Sequence, residues 1–315
     1  MKKRRLGGTD LEIAPLALGG NVFGWTADEA ASFKVLDSFV ASGGNLIDTA
    51  DVYSRWVPGN SGGESETMIG RWQKQRGNRN KLILATKVGF EMAPDKKGLG
   101  KAYILRAAED SLRRLQTDCI DLYQSHVDDP ATPQEETLGA FAELIRQGKV
   151  RAIGASQLSP ARLRDALAIS GKTGLPAYQT LQPEYNLHDR AKFETEYQQL
   201  CLDNGLGVIC YYGLASGFLS GKYRSQADFS KSARGPRMNA YLTDRGRRIL
   251  GALDEVSARL HAKPASVALA WLMARPGITA PIASATSLEQ LQELTAATEL
   301  ELDAAAMQSL NEASA

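Results

Sequence analysis

Short apolar runs alternate along this chain with longer stretches in which apolar residues recur every three or four positions. The runs at 14–18, 45–48, 82–86, 119–125, 150–155, 178–182, 207–211 and 280–283 are rich in Ile, Val, Leu and Ala, as strands buried on both faces are. A helical pattern follows each. The first is capped by Asp28, carries Ala31, Val35, Leu36 and Phe39 on one face, and stops at Gly43-Gly44. The others run at 63–75, 101–115, 133–147, 159–170, 193–203, 243–261 and 288–297. Eight strand–helix couplets are the number that closes a parallel barrel, so the pattern predicts an α/β chain folded as one (β/α)8 TIM barrel. An open, doubly wound sheet shares the alternation, but no G-x-G-x-x-G follows the first strand.

Weak alternation over residues 3–13, around Gly7-Gly8-Thr9-Asp10, predicts a β-hairpin capping the barrel floor. Two stretches interrupt the couplets. Phe218 to Leu242 is long, polar and basic, as expected of a functional loop on the catalytic face. Pro264 to Ala274 reads as an extra helix inserted before the last strand, and a Met-containing helix near the C-terminus is expected to pack on the body. No Pro- or Ser-rich linker divides the chain, so residues 1–315 are expected to form one domain.

Composition narrows the partners. A formal net charge of +1 offers nothing to draw nucleic acid or a membrane surface. The basic start, Met-Lys-Lys-Arg-Arg, resembles a signal n-region, but Asp10 and Glu12 break any apolar segment behind it. No apolar run is long enough to span a bilayer, and no exposed stripe marks an oligomer interface. Cys119, Cys201 and Cys210 lack C-x-x-C spacing, which predicts reduced thiols in a cytoplasmic protein without a disulfide frame or a metal site.

The chemistry gathers at strand ends. Asn45-Leu-Ile-Asp-Thr-Ala-Asp-Val-Tyr53 closes a strand on Asp48 and puts Tyr53 on the turn after it. The next two strands close on Lys87 and His126. Singly, each has an ordinary explanation as a cap, a rim residue or packing. A barrel brings all four to one face, where catalytic groups collect. A phenol ionises near pH ~10. A neighbouring ammonium favours the phenolate, a carboxylate would hold that ammonium in place, and an imidazole could hydrogen-bond a carbonyl oxygen. Such a set suits carbonyl reduction, with hydride from a separate cofactor. His188 in a polar loop and His261 at a helix end have no comparable setting. Past strands five to seven, Gly154-Ala-Ser-Gln157, Thr180 to Asn186 and Ile209 to Ala215 offer amides, hydroxyls and an aromatic. After strand eight, Ser287 and Gln290 have capping-box spacing at a helix start that could receive a phosphate, or simply cap the helix.

Together these residues resemble the aldo-keto reductase superfamily, in its bacterial, potassium-channel-β-like branch. The likeness runs from about residue 4 to 310 and includes Asn45–Tyr53 with Gly63-Glu-Ser-Glu66, Ala85-Thr-Lys87, Asp121–His126, Gly148–Ser156, Gln182-Pro-Glu-Tyr-Asn186 and Gly221-Lys-Tyr223. The resemblance implies a barrel that binds NADP(H), with NAD(H) as the other option, and reduces an aldehyde or ketone or oxidises the alcohol. Tyr53 would be the acid–base, tuned by Lys87 and Asp48, with His126 orienting substrate. Tyr211 would stack on the nicotinamide, and Ser156, Gln157 and Gln182 would hold its carboxamide. Gly20, Asn21 and Asp48 would lie along the ribose and nicotinamide. Gly213, Leu214, Ser216, Gly221 and Lys222 would hold the pyrophosphate, and Ser284, Thr286 and Gln290 the adenosine end. Trp25 and Trp56 would rim the substrate pocket with Tyr53 and His126. Some members of the fold are channel subunits, so a nucleotide-binding sensor with little turnover is the alternative.

Three departures matter. Position 157 is Gln where Asn is usual, and Tyr212-Gly213 replaces a common Ser-Pro, reshaping that wall. No Lys or Arg occurs over 280–299, where members selective for a 2′-phosphate commonly carry one; Arg224 is the candidate substitute.

Overall fold

The computed structural model describes residues 1–315. An antiparallel hairpin comes first, β1 (Arg4–Arg5) paired with β2 (Glu12–Ile13). Eight parallel strands follow: β3 (Ala17–Gly19), β4 (Leu46–Asp48), β5 (Ile83–Val88), β6 (Ile120–Ser125), β7 (Val150–Ser156), β8 (Thr180–Gln182), β9 (Gly207–Cys210) and β10 (Ile278–Ala283). They close in sequence order, with β10 bonded to both β9 and β3. The (β/α)8 barrel is thereby established, and the open-sheet alternative is excluded.

Side chains alternate across each strand, and closure makes that parity decisive. Leu46, Ala85, Leu122, Ala152 and Ile209 form one apolar cluster in the lumen, with Leu6, Leu11 and Ile13 of the hairpin joining it from below. The hairpin therefore plugs the floor, as its sequence predicted. Two glycines allow this close seat. A Cβ on Gly207 would lie 2.6 Å from the Gly7 nitrogen, and Gly7 itself has a φ of +55°. The opposite strand faces look outward and join the large core under the helices, among them Ile47, Leu84, Tyr123 and Ile153.

The helical layer contains α1 (Glu29–Ala41), α2 (Glu64–Arg76), α3 (Lys101–Leu115), α4 (Gln134–Arg146), α5 (Pro160–Thr173), α6 (Gln198–Asp203), α7 (Asp244–Leu260), α8 (Pro264–Met273), α9 (Leu288–Ala296) and α10 (Ala304–Ala313). Asp28 caps α1 through the Ala31 N–H, as expected. One assignment is reversed. The stretch read as an extra helix, α8, packs on β10 as a member of the barrel layer, whereas α7 packs on α8 and α10. Burial explains it: α8 is buried at every position from Ala265 to Met273, while α7 keeps a polar face. Residues 193–197 ahead of α6 form a single π-helical turn.

Candidate active site

Parity carries the polar set inward. Two residues beyond Leu46, Ala85 and Leu122 on the same strand faces stand Asp48, Lys87 and Gln124, and His126 is two further along. Apolar layers fill the lower lumen, so these groups are buried at its C-terminal mouth; Lys87 is 0% exposed. Tyr53 arrives from the turn after β4. That turn is pinned from outside by Ser54, whose Oγ donates to the Phe23 carbonyl, and by Asn60, whose amide donates to the carbonyls of Ser54 and Gly24.

The Lys87 ammonium donates to Asp48 Oδ2 at 2.6 Å, to the Thr49 carbonyl at 2.8 Å and to Tyr53 Oη at 2.9 Å. All three of its protons are thus assigned. The other Asp48 oxygen accepts from Gln182 at 2.9 Å and Gln124 at 3.2 Å. Because Tyr53 Oη accepts from Lys87, its own proton is free to point elsewhere. Across the mouth His126 lies with its ring 6.0 Å from that of Tyr53 and against the edge of Phe90 at 4.4 Å. Its Nδ1 is buried without a partner.

Electrostatics separate the roles. Burial raises the Tyr53 phenol above its ordinary 10; Lys87 pulls downward and Asp48 upward. The ammonium alone was expected to lower it, but removal of the phenolate from water outweighs that attraction. The hydroxyl is therefore protonated at neutral pH. Burial depresses Lys87, yet Asp48 and Tyr53 outweigh burial and leave it raised and charged. Burial, with Lys87 adding to it, holds His126 well below 6.5, so the imidazole is neutral. The site can offer two neutral hydrogen-bond donors to one oxygen, backed by a fixed cation.

The tetrad opens into a cavity of about 970 Å³ that runs from Trp25 and Trp56 past Tyr211 to α9. Asn21, Ser156, Gln157, Gln182, Tyr211, Gly213, Leu214, Ser216, Lys222, Ser284, Thr286 and Gln290 all line it. Gly20 and Gly221 do not. Gly20 faces α2, where a Cβ would meet Ser65 Oγ at 2.8 Å, and Gly19 takes the wall instead. Gly221 faces Arg224 and Pro264, leaving Gly217 and Ser220 on the cavity side.

Several polar groups are already engaged by the frame. Ser156 Oγ donates to the Gln182 carbonyl, Gln157 donates to the His126 carbonyl, and Ser284 Oγ donates to Asn21 Oδ1 at 2.6 Å. At the start of α9, Ser287 Oγ accepts from the Gln290 N–H while Gln290 Oε1 accepts from the Thr286 N–H, which makes a helix cap. Arg224 forms a bidentate pair with Asp254 at 2.7 and 2.8 Å, outside the cavity, so it is not a substitute for a missing 2′-phosphate partner. A dinucleotide nonetheless matches the donor set: a tyrosine ring, backbone at Gly19 and Gly213, and the Lys222 cation in the lining.

Sequence reading did not assign Gln124, Phe90 or Arg234 to the site, and it named Tyr212 only as a change in the cavity wall. Gln124 shares the parity of His126 two residues on, so its inward placement was available from the strand pattern. The other three depend on loop conformation, which carries no period.

Comparison with known proteins shows the family of the chain. The model of the Aldo/keto reductase family matches residues 15–315. The chain is 36% identical to the "Uncharacterized oxidoreductase YrpG" of Bacillus subtilis, over 99% of this chain and 95% of that one. It is 30% identical to the "Aldo-keto reductase yakc [NADP(+)]" of Schizosaccharomyces pombe, covering 91% and 83% of the two. The same identity relates it to a "Probable voltage-gated potassium channel subunit beta" of Arabidopsis thaliana, over 93% and 90%. The chain belongs to the aldo/keto reductase family and is an oxidoreductase of that type.

Proposed function

We propose that this aldo/keto reductase reduces an aldehyde or ketone with NADP(H) or NAD(H), using Tyr53 as general acid and running in reverse as an alcohol dehydrogenase. The observation that carries the reading is the three-way bond of Lys87 to Asp48, Thr49 and Tyr53. It leaves the phenol hydrogen of Tyr53 free to turn toward the cavity that Tyr53 lines. A bound nicotinamide supplies hydride to the carbonyl carbon. The carbonyl oxygen gains negative charge as the carbon is reduced. His126 N–H steadies that charge, Tyr53 O–H transfers its proton, and Lys87 stabilises the phenolate left behind. Tyr211 would provide the flat platform, Gln182 and Ser156 the polar edge, and Lys222 the phosphate partner. The NADP(+) in the name of the yeast relative favours NADP(H), and the absence of Lys and Arg over 280–299 leaves NAD(H) in contention.

Cofactor consumption with a panel of carbonyl compounds tests the reading. NAD(P)H oxidation dependent on a carbonyl supports it. Tight nucleotide binding without consumption across the panel favours a sensor, the role for which the channel-subunit relative speaks. The three cysteines are unpaired, which fits a reducing compartment such as the cytoplasm. No helix is long and apolar enough to cross a membrane.

A further inference from the structure

The tetrad accounts for the carbonyl and leaves a cation unexplained. Arg234 lines the same cavity, yet its Nη2 is enclosed by protein and has no hydrogen-bond partner. Its guanidinium lies 5.4 Å from the centre of the Trp25 ring. Burial lowers its proton affinity, and the groups it feels besides are the phenols of Tyr212, Tyr223 and Tyr53 and the cation of Arg237; no carboxylate is among them. A partly buried guanidinium with no salt-bridge partner keeps its charge uncompensated and its donors available to an anion.

The fold nevertheless holds it in place. A Cβ on the adjoining Gly235 would sit 1.6 Å from the Phe229 carbonyl oxygen, so the loop doubles back there too tightly for a side chain. Tyr223 Oη and Ser232 Oγ, 2.6 Å apart, fix the preceding turn. Facing the same space is Tyr212, held at a φ of +55°, a strained conformation for a bulky residue. Its Oη accepts from Arg237 at 3.2 Å, so the phenol proton is free to donate. Two unfilled donors, one charged, therefore share a cavity with Tyr53 and with the edge-to-face pair of Trp25 and Trp56.

We propose that the substrate is a carbonyl compound bearing a carboxylate, preferably on a flat or aromatic frame, and that Arg234 and Tyr212 receive that carboxylate while the carbonyl lies against Tyr53 and His126. The inference rests on the carbonyl-reductase reading and adds its substrate class. The competing anion is a phosphate of the dinucleotide, for which Lys222, in the lining of the same cavity, is the assigned partner in the proposed function.

Calorimetric titration of benzoate and of benzyl alcohol into protein saturated with NADPH tests the site without turnover, alongside NADPH affinity by fluorescence. The wild type should prefer benzoate. In Arg234→Gln the benzoate Kd should rise about tenfold or more, the scale of one lost charge-assisted hydrogen bond, and the preference over benzyl alcohol should collapse. Arg234→Lys, which keeps the charge, should retain part of the preference and guards against misfolding. The ratio of kcat/KM for 4-carboxybenzaldehyde over benzaldehyde should fall in parallel. No benzoate preference in the wild type overturns the inference. So does a loss in Arg234→Gln confined to NADPH affinity, which would assign the arginine to the cofactor. If no aldehyde consumes NADPH while the benzoate preference holds, the reductase reading falls and the carboxylate site stands.

Discussion

At the scale of single residues, the centre of the site is a buried ion pair whose other partners are all neutral: the Thr49 carbonyl and Tyr53 for Lys87, and two glutamine amides for Asp48. Lys87 and Asp48 are 0% and 1% exposed, and removing one leaves the other charged in a dry lumen. Lys87→Met should destabilise the fold by about 3–5 kcal/mol, and the double variant Asp48→Asn/Lys87→Met should recover part of that, both read by denaturant unfolding. A loss in the double variant equal to the sum of the single losses would show that the two side chains do not act as a pair. Asp51 is the opposite case. Both of its carboxylate oxygens are buried without partners, and burial, then Glu66, raise it well above 3.8, so the fold favours its neutral form. The stability this group contributes is present below its unfolded value and is lost as pH rises through the raised folded value. Asp51→Asn should therefore melt higher than wild type, by about 2 °C per kcal/mol, with the gap widening from pH 4 upward. A gap that stays constant with pH would mean that folding leaves the Asp51 carboxyl unshifted from its unfolded value. For catalysis the same logic gives a flat profile. Neutral His126, held below 6.5, and protonated Tyr53, raised above 10, keep carbonyl reduction level between those two values. Reduction should decline only on the alkaline side, and a fall centred near 6.5 would show that His126 ionises there.

At the scale of elements, what the sequence made legible followed from period. Strand ends announced Asp48, Lys87 and His126, with Tyr53 on the turn after the first, and the structure adds that the first three sit an even number of positions from apolar lumen residues. The hairpin plug was equally readable from Gly7-Gly8 between alternating residues. Its fit is exacting, and Gly207→Ala should cost about 1–3 kcal/mol by forcing the hairpin off the floor, a loss visible in thermal melts. An unchanged melting point would mean the hairpin yields freely. Two helices were harder. The uniform hydrophobicity of α8 reads as "buried" without saying against what, and only its packing on β10 identifies it as a barrel helix. Loops were least legible. Arg224 and Arg234 look alike in sequence, yet one pairs with Asp254 on the outside and the other enters the cavity. Arg224→Ala should accordingly leave the ratio of NADPH to NADH affinity unaltered, as measured by fluorescence titration. A selective loss of NADPH affinity would return Arg224 to the cofactor.

At the scale of the whole molecule, closure converts local pattern into chemistry. Strands far apart in the chain deliver an acid, an ammonium, two amides and an imidazole to one mouth, above a lumen packed by apolar side chains and plugged at its floor by the hairpin. Family membership follows from the whole length of the chain, whereas the identity of the substrate follows from loops that the couplet pattern does not specify. The central claim is that Lys87 and Asp48 leave one phenol proton free for a carbonyl being reduced. Tyr53→Phe removes that proton and little else. Measured with a carbonyl substrate that the wild type reduces, the variant should lose about 10²–10⁴ in kcat while its NADPH Kd stays within twofold of wild type. Turnover retained at more than a tenth of the wild-type rate would contradict the account.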